Sequence, residues 1–157
     1  MKTTRFTPRE GLTQRGFSLA EMTVLLAVIG SLCVLSLPFF ISYYQTAQVR
    51  SAAFDVASFV NQGRQLAIQR NQSVCVSIGT TAVQYRLGNC AGTVWTGALS
   101  DSTGNVKAPN GITLTTTANP VFSNLGAAAP AATITVSQGT STLRVAIATS
   151  GRVSVGP

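Results

Sequence analysis

The chain has 157 residues, enough for one domain with an appendage, and carries 11 Lys and Arg against 4 Asp and Glu. It contains no histidine, so Ser–His and Cys–His nucleophile pairs and histidine-dependent metal sites are excluded. Its low charge and its abundance of Thr, Ser, Ala and Gly are typical of a β-rich extracytoplasmic module.

A pair of carboxylates is the remaining route to catalysis. It would have to come from Asp55 and Asp101. Asp55 falls on a predicted helix surface, and Asp101 stands in a Ser-Asp-Ser-Thr-Gly context that favours a turn closed by a side-chain hydrogen bond to the backbone. We therefore predict that the protein is not an enzyme and holds no cofactor and no metal.

A basic leader precedes a long apolar run near the N-terminus. The leader carries four cations and one acid, namely Lys2, Arg5, Arg9, Arg15 and Glu10. No side chain from Met22 to Val49 is charged, and the first ~20 residues are predominantly apolar, the length that a helix needs to cross ~30 Å of hydrocarbon. The excess of cations predicts a cytoplasmic N-terminus and an external location for the residues after Ile41.

Glu21 does not suit an ordinary membrane anchor. It stands at the edge of the apolar run, where a carboxylate is costly unless it meets a cation or a backbone donor. Two alternatives remain open at this point, a secretory signal peptide and a plain single-span anchor. A secretory apolar region is ~7–15 residues long and ends at a small-residue cleavage site, whereas this run is longer and continues into an amphipathic pattern.

The amphipathic pattern predicts that one long helix continues beyond the membrane. Apolar or small residues recur in steps of three and four, at Val49, Ala52, Ala53, Val56, Phe59, Val60, Gly63, Leu66 and Ala67. We predict a helix from about Ser18 to Arg70, with a globular head packed on this stripe. Pro38 removes one helical hydrogen bond and is expected to kink or loosen the helix.

After Asn71 the pattern predicts strands. Expected strands are Ser73–Ile78 paired with Val83–Leu87, a weaker Thr93–Leu99, Ile112–Thr117, Thr133–Ser137 and Thr142–Thr149 around a turn at Gln138-Gly139, and Arg152–Val155. Residues 101–111 and 124–132 are expected to be loops. The predicted fold is α+β, with one antiparallel sheet whose apolar face covers the helical stripe.

The three cysteines fall into two groups. Cys33 lies in the apolar run and is expected to be a small buried hydrophobe. Cys75 and Cys90 lie in the external portion, where an oxidising compartment favours a disulfide that closes a 15-residue loop and contributes about 3 kcal/mol. A metal site is disfavoured because the sequence offers no histidine and no second cysteine pair.

The N-terminal region resembles the type IV pilin superfamily, whose precursors carry a basic leader ending in Gly, then Phe, and a Glu five residues after the Gly. Gly16, Phe17 and Glu21 match these positions, and Pro38 follows Phe17 by 21 residues, as is common in pilins. The resemblance implies that a prepilin peptidase cuts between Gly16 and Phe17, that Phe17 is N-methylated, and that Glu21 pairs with the terminal amine of a neighbouring subunit during assembly.

The same resemblance implies an organisation and a location. Residues 1–16 would be a removed leader, 17–45 a transmembrane and assembly helix, and 46–157 a periplasmic head. The protein would cross the bacterial inner membrane once and then enter a pilus or pseudopilus with other pilin-type subunits. Small residues at Gly30, Ser31 and Ser36 would allow close helix packing in the filament.

The head resembles the FimT/GspH family of minor pilins and pseudopilins. The resemblance covers most of the chain and includes Val49–Ala53, Gly63–Asn71, Val74–Ser77, Cys90, Trp95–Gly97, Asp101, Gly104 and Ser150-Gly151-Arg152. It implies either a minor pilin that primes or enters a type IV pilus, or a pseudopilin of type II protein secretion.

One branch of this family binds double-stranded DNA for uptake through a C-terminal Gly-Arg-any-Arg motif. This chain has Gly151-Arg152-Val153-Ser154, with Ser154 at the second arginine position, and a further cation at Arg144. Removing residues 1–16 lowers the formal net charge from +7 to about +4, which permits contact with anions without requiring it. Arg144 and Arg152 are therefore candidate DNA contacts, and the alternative is two solvated arginines that protect a sheet edge.

Overall fold

The computed structural model describes residues 16–97, 100–109 and 111–157, with side chains at all of these positions except 37 and 38. The leader predicted for residues 1–15 lies outside the described residues. By its internal contacts the chain divides into two compact units, one ending at Phe39 and the other comprising Phe40–Pro157.

Helix α1 extends over Leu19–Arg70, within one residue of the predicted bounds. It begins after Ser18, whose carbonyl accepts hydrogen bonds from the backbone N–H groups of Glu21 and Met22 at 3.0 and 3.2 Å. It ends in a Schellman motif: Asn71 adopts a left-handed φ of 51°, and the N–H of Gln72 donates to the carbonyl of Ala67 at 3.2 Å. The helix runs through position 38, and the expected kink there remains a prediction.

Nine strands form two antiparallel sheets in the second unit. The first sheet has the order β3-β2-β1-β5-β6, where β1 is Val74–Ile78, β2 Ala82–Leu87, β3 Asn105–Lys107, β5 Val121–Phe122 and β6 Ala128–Ala129. The second has the order β4-β7-β8-β9, where β4 is Thr113–Thr116, β7 Ala132–Gln138, β8 Ser141–Ile147 and β9 Val153–Gly156. The α+β prediction is confirmed, as is the pairing of β1 with β2.

The sequence prediction was wrong in three respects. One sheet was expected and two are present. The segment Thr93–Leu99 is not a strand, because its described part forms only an isolated bridge from Val94 to Arg86 before Trp95 folds edge-on against Tyr85 at 5.9 Å. The segments 101–111 and 124–132, expected to be loops, contain β3, β6 and the start of β7.

The core of the second unit lies between the helical stripe and the inner faces of both sheets. Eight of the nine predicted stripe residues are buried, and Phe59 is half-buried. They join buried strand side chains such as Val76, Tyr85, Ile134 and Val145 in one cluster. The prediction that the sheet covers the stripe is therefore confirmed, with two sheets in place of one.

Candidate functional site

The first candidate site is the N-terminal half of α1, which is apolar on all sides. Every residue from Gly16 to Ser36 is exposed in the single chain, and an 18-residue window, Leu19–Ser36, has a mean hydropathy of 2.1. This window is long and apolar enough to span a membrane, although a signal sequence would satisfy the same criterion. An apolar surface of this length needs lipid or protein to cover it.

Hydroxyl groups within this apolar surface bond to the helix itself. Thr23 donates to the carbonyl of Ala20 at 2.8 Å, and Ser31 donates to that of Val28 at 2.8 Å. Ser36 donates in the same way to the carbonyl of Cys33 at 2.9 Å. Because lipid offers no partners to a hydroxyl, these bonds make the three side chains compatible with a membrane interior.

Glu21 is the one charged residue in this part of the described helix. Its side chain is exposed, and among the described residues it forms no ion pair and no side-chain hydrogen bond. It lies in the first helical turn, where a carboxylate is favoured by the helix dipole. Phe17, four residues earlier, is 67% exposed, and Gly16 is exposed as well. The carboxylate is therefore open to a cationic partner from another molecule.

Two of the three cysteines form the predicted disulfide. Cys75 on β1 is fully buried and bonds to Cys90, which lies in the exposed turn after β2, with a Cα–Cα distance of 5.1 Å. The bond ties that turn to the central strand of the first sheet. Cys33 is a free, exposed thiol in the single chain, so its expected burial would have to come from lipid or from a neighbouring subunit.

The two candidate carboxylates have different surroundings. Asp55 is half-buried on α1, whereas the Oδ1 atom of Asp101 accepts hydrogen bonds from the N–H and hydroxyl of Thr103 and from the N–H of Asn105, at 2.7–2.9 Å. The Thr103 hydroxyl is the main reason that the pKa of Asp101 lies below its usual value. These bonds close the turn before β3, as the sequence indicated, and no metal-binding cluster occurs among the described residues.

The candidate DNA contacts lie on the outer face of the second sheet. Arg144 on β8 stands opposite Gly156 on β9, and Arg152 precedes Gly156 by four residues, so the two arginines are about 13 Å apart along the strand. Both are exposed, and Ser154, at the position of the family's second arginine, lies on the same face between them. The structure places the two cations on one face without joining them into one cluster.

Together, the apolar N-terminal helix and the antiparallel sheets packed on its second half define the type IV pilin fold. Solved structures of a minor pilin and of a minor pseudopilin share it. The type IV minor pilin FimU of Pseudomonas aeruginosa has been solved in two crystal forms, both 15% identical to this chain. In one crystal form the match covers 69% of this chain and 92% of the FimU chain, with a TM-score of 0.52. In the other it covers 73% of this chain and 92% of the FimU chain, with a TM-score of 0.55.

The minor pseudopilin EpsH of the type 2 secretion system of Vibrio cholerae is similar to nearly the same degree. It is 12% identical and matches 69% of this chain and 95% of its own with a TM-score of 0.51. No protein-family model and no curated protein matches the sequence. The likeness therefore rests on the fold, and it favours neither the pilus nor the secretion machine.

Proposed function

We propose that the protein is a minor type IV pilin of the FimT kind. It inserts in the inner membrane through residues 17–45, exposes the head in the periplasm, and enters or primes a pilus. The observation that carries this proposal is the exposed apolar helix, whose Glu21 forms no ion pair with another described residue, attached to a pilin-fold head. A helix that is apolar all round is covered first by lipid and then by the helices of other subunits.

Maturation is the first step of the proposed assembly. A prepilin peptidase cuts between Gly16 and Phe17, and methylation of the new amine at Phe17 follows. Gly16→Ala should block the cut, because a peptidase that reads Gly before the bond has little room for a side chain. A denaturing gel of membranes that also contain the peptidase measures this, and a processed band of wild-type mobility would contradict it.

Glu21 then sets the axial register of the subunit in the filament. An unpaired carboxylate in an apolar bundle costs several kcal/mol, so the subunit is stable only where a cation such as the amine of Phe17 on a neighbour meets it. Glu21→Ala should leave membrane insertion unchanged and strongly reduce the amount of the subunit in sheared filaments. Met22→Ala is the matched control, and equal incorporation of the Glu21 variant and wild type would contradict the proposal.

Pseudopilin function in type II secretion is the alternative, since the secretion neighbour EpsH has a comparable TM-score. Deleting the protein separates the two, because a minor pilin is needed for piliation and a pseudopilin for release of secreted enzymes.

Contact with double-stranded DNA is a second candidate function, supported by the shared face of Arg144 and Arg152. Each phosphate contact contributes modestly and is salt-sensitive. Mobility-shift titration of the full chain in detergent over a salt series tests it. Salt-sensitive binding that is lost in Arg144→Ala and Arg152→Ala would support a role in DNA uptake. An absence of binding at low salt would contradict this candidate function.

A further inference from the structure

The last strand of the second sheet has a free edge. Among the described residues, β9 pairs with β8 alone. The carbonyl of Arg152 accepts a hydrogen bond from the N–H of Ala148, so the residues at positions 152, 154 and 156 direct their backbone groups at β8. The backbone groups of Val153 and Val155 therefore point away from β8, and the described chain offers them no partner. Such an edge is a template for a further strand.

Helix α1 runs alongside this edge. At the start of β9, a Cβ atom on Gly151 would stand 3.2 Å from Nε of Arg64. At its end, Val155, Gly156 and Pro157 line a groove of about 410 Å³ with residues of α1, among them Arg50 and Phe54, and with residues 141–143 at the start of β8. Arg50 and Arg64 are 14 residues apart, about 21 Å along a helix, and positions 151 to 157 span about 20 Å along a strand. The two elements therefore lie side by side at both ends of this space, here called the channel, and the turn at Gly126 packs on Arg64 at the Gly151 end.

The helical side of this channel combines apolar and cationic side chains. Residues spaced alternately four and three positions apart lie along one side of α1 and are here called the edge-facing stripe. They are Arg50, Phe54, Ala57, Asn61, Arg64 and Ile68. Phe54 is 54% exposed and Ile68 48% exposed, although they belong to the helical half that carries the core stripe.

The two arginines of the edge-facing stripe lack an acidic partner. Neither Arg50 nor Arg64 forms an ion pair with another described residue, and Nε of Arg64 is buried without a hydrogen-bond partner there. A complementary ligand would bring one carboxylate to each end of the channel.

We propose that the channel between β9 and the edge-facing stripe binds an extended strand of a partner protein. The strand adds to the free edge of β9 through the backbone groups of Val153 and Val155. On its helix-facing side it carries apolar residues over Phe54 and carboxylates about six residues apart that pair with Arg50 and Arg64. This interaction belongs to the head and goes beyond the proposed role of the apolar helix in assembly.

Charge and hydrogen-bonding pattern favour a peptide over a nucleic acid. A strand edge offers alternating donors and acceptors, whereas a phosphate backbone requires donors and closely spaced cations. The cations here are about 21 Å apart, with an exposed Phe54 between them.

A labelled synthetic peptide tests the proposal by fluorescence anisotropy with the full chain in detergent micelles. The peptide Asp-Thr-Val-Thr-Val-Thr-Glu, blocked at both ends, places the acids and valines on one face and the acids about 20 Å apart. Saturable binding below about 1 mM is expected, and its absence would overturn the proposal. The same peptide with Lys at both ends is expected not to bind.

Two N-methylated peptides give the signature of strand addition. One is methylated at its odd positions and the other at its even positions. Only one of the two sets of N–H groups faces β9, so one peptide should bind at least about tenfold more weakly and the other nearly as well as the parent. Equal effects in both peptides would refute strand addition.

Protein variants locate the contact. Arg50→Gln and Arg64→Gln should each weaken peptide binding about fivefold, whereas Arg70→Gln, an exposed arginine in the last turn of the same helix, should leave it unchanged. A thermal melt confirms that each variant is folded. If Arg64→Gln does not fold, Arg50→Gln alone is enough to test the contact. If a DNA duplex displaces the peptide and binds through Arg50 while both N-methylated peptides bind as well as the parent, the surface binds nucleic acid and the proposal fails.

Discussion

Gly63 on α1 packs tightly against the first sheet. A Cβ atom there would stand 2.5 Å from Cγ2 of Val76 and 3.3 Å from two ring carbons of Tyr85. Val76 is fully buried on β1, a central strand that pairs with β2 and β5, and its N–H also donates to the carbonyl of Pro120 at 2.9 Å. Val76 therefore has little freedom to yield, and we expect Gly63→Ala to destabilise the head.

Two opposing effects set the magnitude. Replacing Gly by Ala inside a helix favours folding by roughly 0.5–1 kcal/mol. Overpacking a dense core costs about 1–3 kcal/mol, and the stiff, β-branched Val76 argues for the upper half of that range. The net loss is then about 1–2.5 kcal/mol. For a folded unit of this size it lowers the melting temperature by roughly 4–10 °C.

The loss of stability is measured by thermal melting of the full chain in detergent micelles, followed by circular dichroism at the β-sheet signal of the head. Gly30→Ala is the matched control on the same helix, because a Cβ atom there meets nothing within 4 Å. The double variant Gly63→Ala with Val76→Ala should lose less stability than the two single losses combined, since each relieves the other. An unchanged or raised melting temperature in Gly63→Ala would refute the packing argument.

Two further predictions concern the head. Cys90→Ser removes the Cys75–Cys90 disulfide, which closes a 15-residue loop, and should lower the stability of the head by about 3 kcal/mol. The control Cys33→Ser should leave the melting temperature unchanged. Equal melting temperatures for wild type and both variants would contradict this prediction. The pKa of Asp101 is lower in the folded state than in the unfolded state. The ionised carboxylate therefore stabilises the head at pH values above its unfolded pKa of about 3.9, and this stabilisation is lost as the pH falls through its folded pKa. Asp101→Asn should therefore melt lower than wild type at neutral pH, with the difference shrinking in acid; a difference that persists unchanged in strong acid would contradict this.

The long helix could be predicted because its signals are local. The apolar run and the stripe that begins at Val49 repeat over many turns, and Asn71 marks the end with a residue that tolerates a left-handed conformation. The longer strands β1, β2, β7 and β8 were predicted for the same reason, since several alternating residues define each of them.

The short strands and the division into two sheets could not be predicted. Strands β5 and β6 have two residues each and β3 has three, too few to show an alternation. They form because longer neighbouring strands pair with them; for example, Val106 on β3 pairs with Val83 on β2. Which strands share a sheet depends on pairings between distant segments, and a single sequence carries little of that information.

The two candidate sites differ in the same way. Gly16, Phe17 and Glu21 could be singled out because their spacing along the chain is itself the signal. The edge-facing stripe could not, because it becomes a site only where the fold places β9 beside it. A local sign was present in Phe54 and Ile68, two large apolar residues outside the predicted core stripe.

The surface of α1 changes character along its length, and this change follows from what covers the helix. From Val49 onward a head packs on one side, so a stripe of small and apolar residues suffices and charges resume at Arg50. From Gly16 to Ser36 every residue is exposed in the single chain, so this part of the helix is predominantly apolar on all sides and bonds its own hydroxyls internally. Such a surface is stable only in lipid or against other apolar helices. In the proposed pilin role, Glu21 would turn membrane insertion into ordered assembly, because lipid does not fix the height of a helix whereas a carboxylate that requires a cation does.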